Sequence, residues 1–161
     1  MPFQSSPRVG RVALGLVAAA MVCTAFADDG ESRTRVPLLP KYMQECAACH
    51  LAYPPGLLPA ASWQRLMDNL PRHFGTDASL EATTARELST WLGAQAGTGK
   101  RAREAPPQDR ITRSAWFLRK HDELPAATWK LPTVKSASNC GACHTRADQG
   151  DFSERSIRIP R

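Results

Sequence analysis

Past residue 27 this chain has no apolar stretch long enough to span a bilayer, no cysteine outside two C-x-x-C pairs, and only two methionines, Met43 and Met67. The first absence excludes a membrane span in the body of the chain, because a spanning helix needs about 20 apolar residues. The second leaves no thiol over once the two pairs have been assigned a task. The third leaves few thioether side chains for any role that needs one. Histidine is scarce too: His50, His73, His121 and His144 are the whole complement of 161 residues, so each asks for a reason.

The segment before residue 28 has a different character. Arg8 and Arg11 precede an apolar run from Val12 to about Thr24, and Ala25-Phe26-Ala27 supplies a small-x-small pattern. Basic residues, a short apolar run and a small-residue cleavage site define a secretory signal. The run is shorter than a membrane anchor requires. Residues 1–27 therefore read as a signal peptide cleaved after Ala27, leaving an exported chain of 134 residues, the 161 less 27. Cys23 leaves with the signal, since Val22 stands where a lipoprotein signal wants a small residue. The remaining chain is expected to make no stable membrane insertion.

In an oxidising compartment paired cysteines usually form disulfides, but their setting here points elsewhere. The chain reads ECAACHLAYPP around Cys46–His50 and NCGACHTRADQG around Cys140–His144. Both are C-x-x-C-H, the attachment motif of c-type haem. Two thiols about one helical turn apart can each form a thioether to one haem vinyl group, and the next histidine reaches the iron. Cys46, Cys49, Cys140 and Cys143 would thus hold two covalent haems, with His50 and His144 as proximal ligands. A thiol redox pair expects a thioredoxin-like βαβ setting, and the sequence has none. A four-cysteine zinc site would leave both adjacent histidines unexplained.

Two haems with one histidine each need two more ligands to become six-coordinate. The chain holds two more histidines, one in each half, which makes His73 and His121 the candidate distal ligands. The plainer explanation is that they are surface or capping residues. Methionine is the rival ligand, but Met43 lies three residues before Cys46 and Met67 sits between Leu66 and Leu70 like a core residue. Proximity pairs His50 with His73 and His144 with His121. A crossed pairing would require the halves to interleave, against the composition of the segment that joins them.

The pattern along the chain predicts a mainly α protein with long loops. A short helix entered after Pro40 carries the first motif, and LAYPPGLLPA is a loop because its prolines interrupt helix. SWQRLMDNLPRH predicts a helix capped by Ser62, with Trp63, Leu66, Met67 and Leu70 on one face and His73 just past its end. DASLEATTARELSTWLGAQAG predicts another, with Leu80, Leu88, Trp91 and Leu92 inward and Gly93 or Gly97 near its end. Residues 97–108, GTGKRAREAPPQ, have linker composition. Residues 111–122 predict a helix in which Phe117 and His121 share a face. Ser138 or Asn139 caps a helix carrying the second motif, and Ile157 and Ile159 alternate in an extended tail. The expected layout is an N-terminal haem domain over 28–98, a linker over 99–108 and a C-terminal haem domain over 109–161. Each half is near the lower size limit for an independent core, so a covalent haem would supply apolar bulk and act as a staple. Trp63, Trp91, Trp116 and Trp129 are expected to pack as core around it.

Charge is uneven. Residues 28–99 carry 6 basic and 8 acidic groups, whereas residues 100–161 carry 13 and 7. Ionised haem propionates would offset much of the excess, so the basic balance gives no argument for nucleic acid. Lys100, Arg101, Arg103, Arg110, Arg113, Arg119 and Lys120 cluster around the linker and the helix after it. Such a patch either pairs with propionates or steers an acidic redox partner.

The segments CAACHLAYPPGLLPAASW, HFGTDASL, RITRSAWFLRKH and SNCGACHTRADQGDFSERSIRIP resemble the small dihaem cytochrome c family of proteobacteria, from about Lys41 to Pro160. The resemblance implies a periplasmic electron carrier, not an enzyme, folded as two small haem domains. It implies Cys46, Cys49, His50, Cys140, Cys143 and His144 as attachment and proximal groups and His73 and His121 as distal ligands. It also implies redox partners such as an oxygen-binding monohaem cytochrome or a membrane b-type cytochrome. The competing expectation is a haem enzyme or gas-binding sensor in which one distal histidine is labile.

Overall fold

The computed structural model describes Met1 and residues 37–161. The rest of the expected signal, with Cys23 and the cleavage site after Ala27, lies outside the described residues. Four α-helices carry the described chain: α1 (Pro40–Cys46), α2 (Ala60–Asp68), α3 (Ala82–Ala94) and α4 (Ala115–Lys120). Short 3-10 turns join them, and no strand longer than an isolated bridge pair occurs among the described residues. The mainly α architecture follows the sequence pattern. None of the described helices is long and apolar enough to cross a membrane.

The core lies in the first half, where α2 packs on α3. Leu88 and Leu92, four residues apart on α3, are 0% and 1% exposed and meet Trp63, Leu58, Ala52 and Tyr42. Met43 and Met67 pack at the margin of this cluster with Leu66 and Leu80, so both methionines are occupied as core. The Trp63 indole donates to the Pro55 carbonyl at 2.7 Å, which ties α2 to the proline-rich loop. α3 starts where Glu81 accepts hydrogen bonds from the amides of Thr83 and Thr84. These bonds satisfy donors that helix geometry leaves unpaired and hold the Glu81 carboxyl below its usual pKa. The helix ends at Ala94, ahead of Gly97.

Several local expectations are corrected. Ser62 does not cap α2: Pro59 occupies the cap with extended backbone, and its carbonyl accepts from the amides of Ser62 and Trp63. Ser62 is instead fully buried inside the helix, accepting a 3.3 Å hydrogen bond from Arg65. Residues 111–122 are not one helix. Ser114 adopts extended backbone and caps α4 through a 3.1 Å bond from the Phe117 amide, leaving Ile111–Arg113 as a separate 3-10 turn. The competing principle is the preference of serine for the cap over the helix interior. The second motif forms only a 3-10 turn, Cys140–Ala142, and Asn139 uses its side chain to bond the Val134 carbonyl rather than to cap.

The segment around residues 99–108 packs against both halves. Lys100–Ala102 and Pro107–Asp109 form turns, and Ala102 is 4% exposed. Arg65 of α2 grips Asp109 with two hydrogen bonds, at 2.9 and 2.6 Å. That fork holds the Asp109 carboxyl below its ordinary pKa. Farther along, the Tyr53 hydroxyl donates to the Ser138 carbonyl at 2.7 Å, an 85-residue reach.

Gly97 marks a close approach. Its amide bonds the Leu58 carbonyl at 2.9 Å. A Cβ placed there would lie 2.5 Å from the Ala102 Cβ and collide with the Gly56 carbonyl. Gly97→Ala is therefore expected to destabilise the protein by about 1–3 kcal/mol, measured as a lower chemical-denaturation midpoint. An exposed Gly99→Ala control, where a Cβ meets nothing within 4 Å, should leave the midpoint nearly unchanged.

Candidate functional site

Two clusters gather the chemically distinctive side chains. In the first, α1 ends at Cys46, and the following turn carries Cys49 and His50. The 3-10 turn Leu70–Arg72, which contains Pro71, stops the chain so that His73 follows it directly. The His50 and His73 rings face each other at 6.1 Å between centroids, tilted by only 23°. In the second, Cys140–Ala142 is followed by Cys143 and His144, while His121 sits at the C-cap of α4. The His121 and His144 rings are 6.2 Å apart and inclined by 71°. Each histidine outside the motifs thus lies beside the motif histidine of its own half.

These separations test the fit of a haem. Two imidazoles bonded to opposite sides of one metal place their ring centres about 6.3 Å apart, from bonds of about 2.0 Å and roughly 1.15 Å from nitrogen to ring centre. Both observed separations match this spacing. The hydrogen bonds agree. His50 Nδ1 lies 2.7 Å from the Leu51 carbonyl, and His121 Nδ1 lies 2.8 Å from the Phe117 carbonyl. A carbonyl can only accept, so Nδ1 carries the proton and Nε2 presents its lone pair. His73 is tuned differently: burial, then His50 and then Arg110, lower its pKa and favour the neutral imidazole that binds metals. Its Nδ1 is buried without a hydrogen-bond partner.

The thiols fit attachment better than redox exchange. Cys46, Cys49, Cys140 and Cys143 form no disulfide. Burial pushes the Cys46 and Cys140 thiols up to about 11, whereas an exchange cysteine needs a lowered pKa. Among the described residues no three His, Cys, Asp or Glu side chains converge on a bare metal-ion site, which removes the four-thiolate zinc alternative.

Aromatic side chains enclose both clusters. Phe117 stacks on His121 at 4.1 Å, the shared face predicted by their spacing, and Trp129 stands 5.8 Å from the same ring. Trp63 is core and Trp91 packs against Tyr42. Trp116 instead receives Arg101 over its ring at 4.9 Å. Beside His73 a cavity of about 370 Å³ opens between Arg65, Arg72, Phe74 and Asp109. Arg110 covers the exposed Phe74 ring at 4.2 Å. Basic groups around that opening suit an anionic edge such as propionate.

Sequence reasoning missed three contributors. Tyr53 stacks on His50 at 5.1 Å and 23°; its position three residues after the motif was the available signal. Phe152 stands 5.4 Å from His144. The extended tail does more than alternate: the Thr145 amide and hydroxyl both donate to the Ser156 carbonyl, and the Arg158 amide donates to the Cys143 carbonyl at 2.8 Å. The tail is therefore a backbone clamp on the second motif.

Comparison with known proteins identifies the family. A search of curated proteins gave no match. Among solved structures, a dihaem cytochrome c from Shewanella baltica is 37% identical, with a TM-score of 0.67 over 78% of this chain and 95% of that one. Two structures of dihaem cytochrome c from Rhodobacter sphaeroides are 44% and 41% identical, with TM-scores of 0.63 and 0.64. Each covers 73% of this chain, and 99% and 98% of its own. The family model for dihaem cytochrome c matches residues 42–152. With two C-x-x-C-H motifs, two opposed histidine pairs and this match over most of its length, the chain belongs to the dihaem cytochrome c family, whose cofactors are two covalently bound c-type haems.

Proposed function

We propose that the protein is a periplasmic electron carrier in which both haems are held between two histidines. Cys46 and Cys49 would anchor the first haem, with His50 and His73 as its axial ligands. Cys140 and Cys143 would anchor the second, with His144 and His121. The observation that carries this reading is the opposed ring pairs at 6.1 and 6.2 Å, each beside its own attachment motif. Bound haem supplies a one-electron Fe(III)/Fe(II) change, and axial imidazoles set where its potential lies.

The chain's own residues do the rest. The Leu51 and Phe117 carbonyls orient the His50 and His121 rings. Phe117, Trp129 and Phe152 exclude water from the second site, which favours the less charged state of a redox centre. With an imidazole on each side, neither site offers an open position to substrate, so no enzymatic step is assigned. Signal-like residues 1–27 support export, and cytochromes c are typically exported. The exposed Lys100, Arg103, Arg119 and Lys120 suit a transient partner with an acidic face, such as an oxygen-binding monohaem cytochrome or a membrane b-type cytochrome. Complementary charge would speed that encounter more than it tightens it.

One observation on the two distal rings favours a second reading at the first site. His73 lacks the Nδ1 hydrogen bond that orients His50 and His121, so it is the less tethered distal ring. A gas-binding or catalytic role would therefore begin at the first site.

Electron paramagnetic resonance of the oxidised, haem-loaded protein tests the ligand sets. Two low-spin ferric signals of different shape are expected, because one ring pair is near parallel and the other near perpendicular. A high-spin signal, or a methionine–iron charge-transfer band in the optical spectrum, would contradict this assignment. Carbon monoxide should leave the spectrum of the reduced wild type unshifted. His121→Ala should admit it at one haem only, about half the total spectral change of a fully open dihaem protein if the two sites are equivalent absorbers. If both haems of that variant stayed six-coordinate, His121 would not be a ligand.

A further inference from the structure

Tyr53 makes three connections that no core tyrosine needs. Its ring lies on His50 at 5.1 Å, nearly parallel. Its hydroxyl donates to the Ser138 carbonyl at 2.7 Å, and Ser138 is two residues before Cys140. Its own carbonyl accepts a 2.9 Å hydrogen bond from Tyr42, which is 2% exposed on α1, the helix that ends in Cys46. One half-buried residue is thus tied to the first attachment helix, to the first motif histidine and to the strand of chain entering the second motif.

We propose that Tyr53 is the bridge between the two haem sites, fixing their relative position and providing the pathway by which they exchange electrons. The route runs from the His50 ring through the stacked Tyr53 ring, across the hydroxyl–carbonyl hydrogen bond, and along Ser138 and Asn139 to Cys140. In the exchange, one electron leaves the reduced site and enters the oxidised one. No bond forms or breaks, and Tyr53 keeps its proton and is neither oxidised nor reduced. Tyr53 acts as a positioning residue, and the inference rests on the proposed assignment of His50 and Cys140 to different haems.

Two variants separate the ring from the hydroxyl. Tyr53→Phe keeps the stack on His50 and removes the hydrogen bond; Tyr53→Leu removes both. Each haem-loaded protein is given less than one electron per molecule by flash photoreduction, and the concentration-independent redistribution between haems is timed. Both midpoint potentials and the oxidised resonance spectrum are recorded on the same samples. The expected result is redistribution slowed several-fold in Tyr53→Phe and further in Tyr53→Leu, with the two potentials of Tyr53→Phe and its two low-spin signals retained. An unchanged rate in Tyr53→Phe, or a slowing fully explained by shifted potentials, would overturn the bridge while leaving the ligand assignment standing. A wild-type spectrum without two low-spin signals would overturn the ligand assignment, and the bridge with it. Should Tyr53→Leu fail to fold, Tyr53→Phe decides alone.

Discussion

Two gaps govern this molecule: the spaces of about one iron atom and two bonds between His50 and His73 and between His121 and His144. The rings of each pair are held at this separation by chain on either side. α1 and its following turn fix one wall of the first gap, and the proline-stopped turn before His73 fixes the other. In the second, the cap of α4 positions His121 and the tail holds the segment around His144. Much of the remaining architecture follows from the need to hold four rings in register.

That need explains why apolar packing is so unevenly distributed. Leu58, Trp63, Leu88 and Leu92 form a conventional core beneath the first site. The second half has a single short helix and a succession of 3-10 turns, with Phe117, Val134 and Ala147 as its buried apolar side chains. Such a segment buries little apolar surface of its own, and chains of this size fold with the help of a staple. A covalent haem supplies a rigid apolar plane against which Phe117, Trp129 and Phe152 can pack. The cofactor is then part of the fold of that half as well as of its chemistry.

The cofactor was legible in the sequence because covalent attachment demands fixed spacing, and fixed spacing is what a sequence displays. Histidine pairing was legible for a similar reason: with four such residues, the count leaves little freedom. Helix α3 could be read because its apolar period and its end signals agree. What could not be read depended on tertiary contact. Ser62 looked like a cap until the extended Pro59 took that place, and Ser114 became one inside what looked like a continuous helix. The second motif resembled the first in letters, yet it forms a 3-10 turn where the first leaves an α-helix. Tyr53 was passed over because its hydroxyl partner lies 85 residues away, beyond the reach of any local pattern.

The clamp between Ser156–Arg158 and Cys143–Thr145 also imposes an order in time. The first site draws its two rings from residues 50 and 73, with Arg110 and Ser138 of the second half touching their neighbours Phe74 and Tyr53. The second borrows backbone partners from Ser156 and Arg158, so its motif is fully braced only after residue 158 has been made. Bracing of the second motif is thus directional, since its last backbone bonds wait on residues that follow it in the chain.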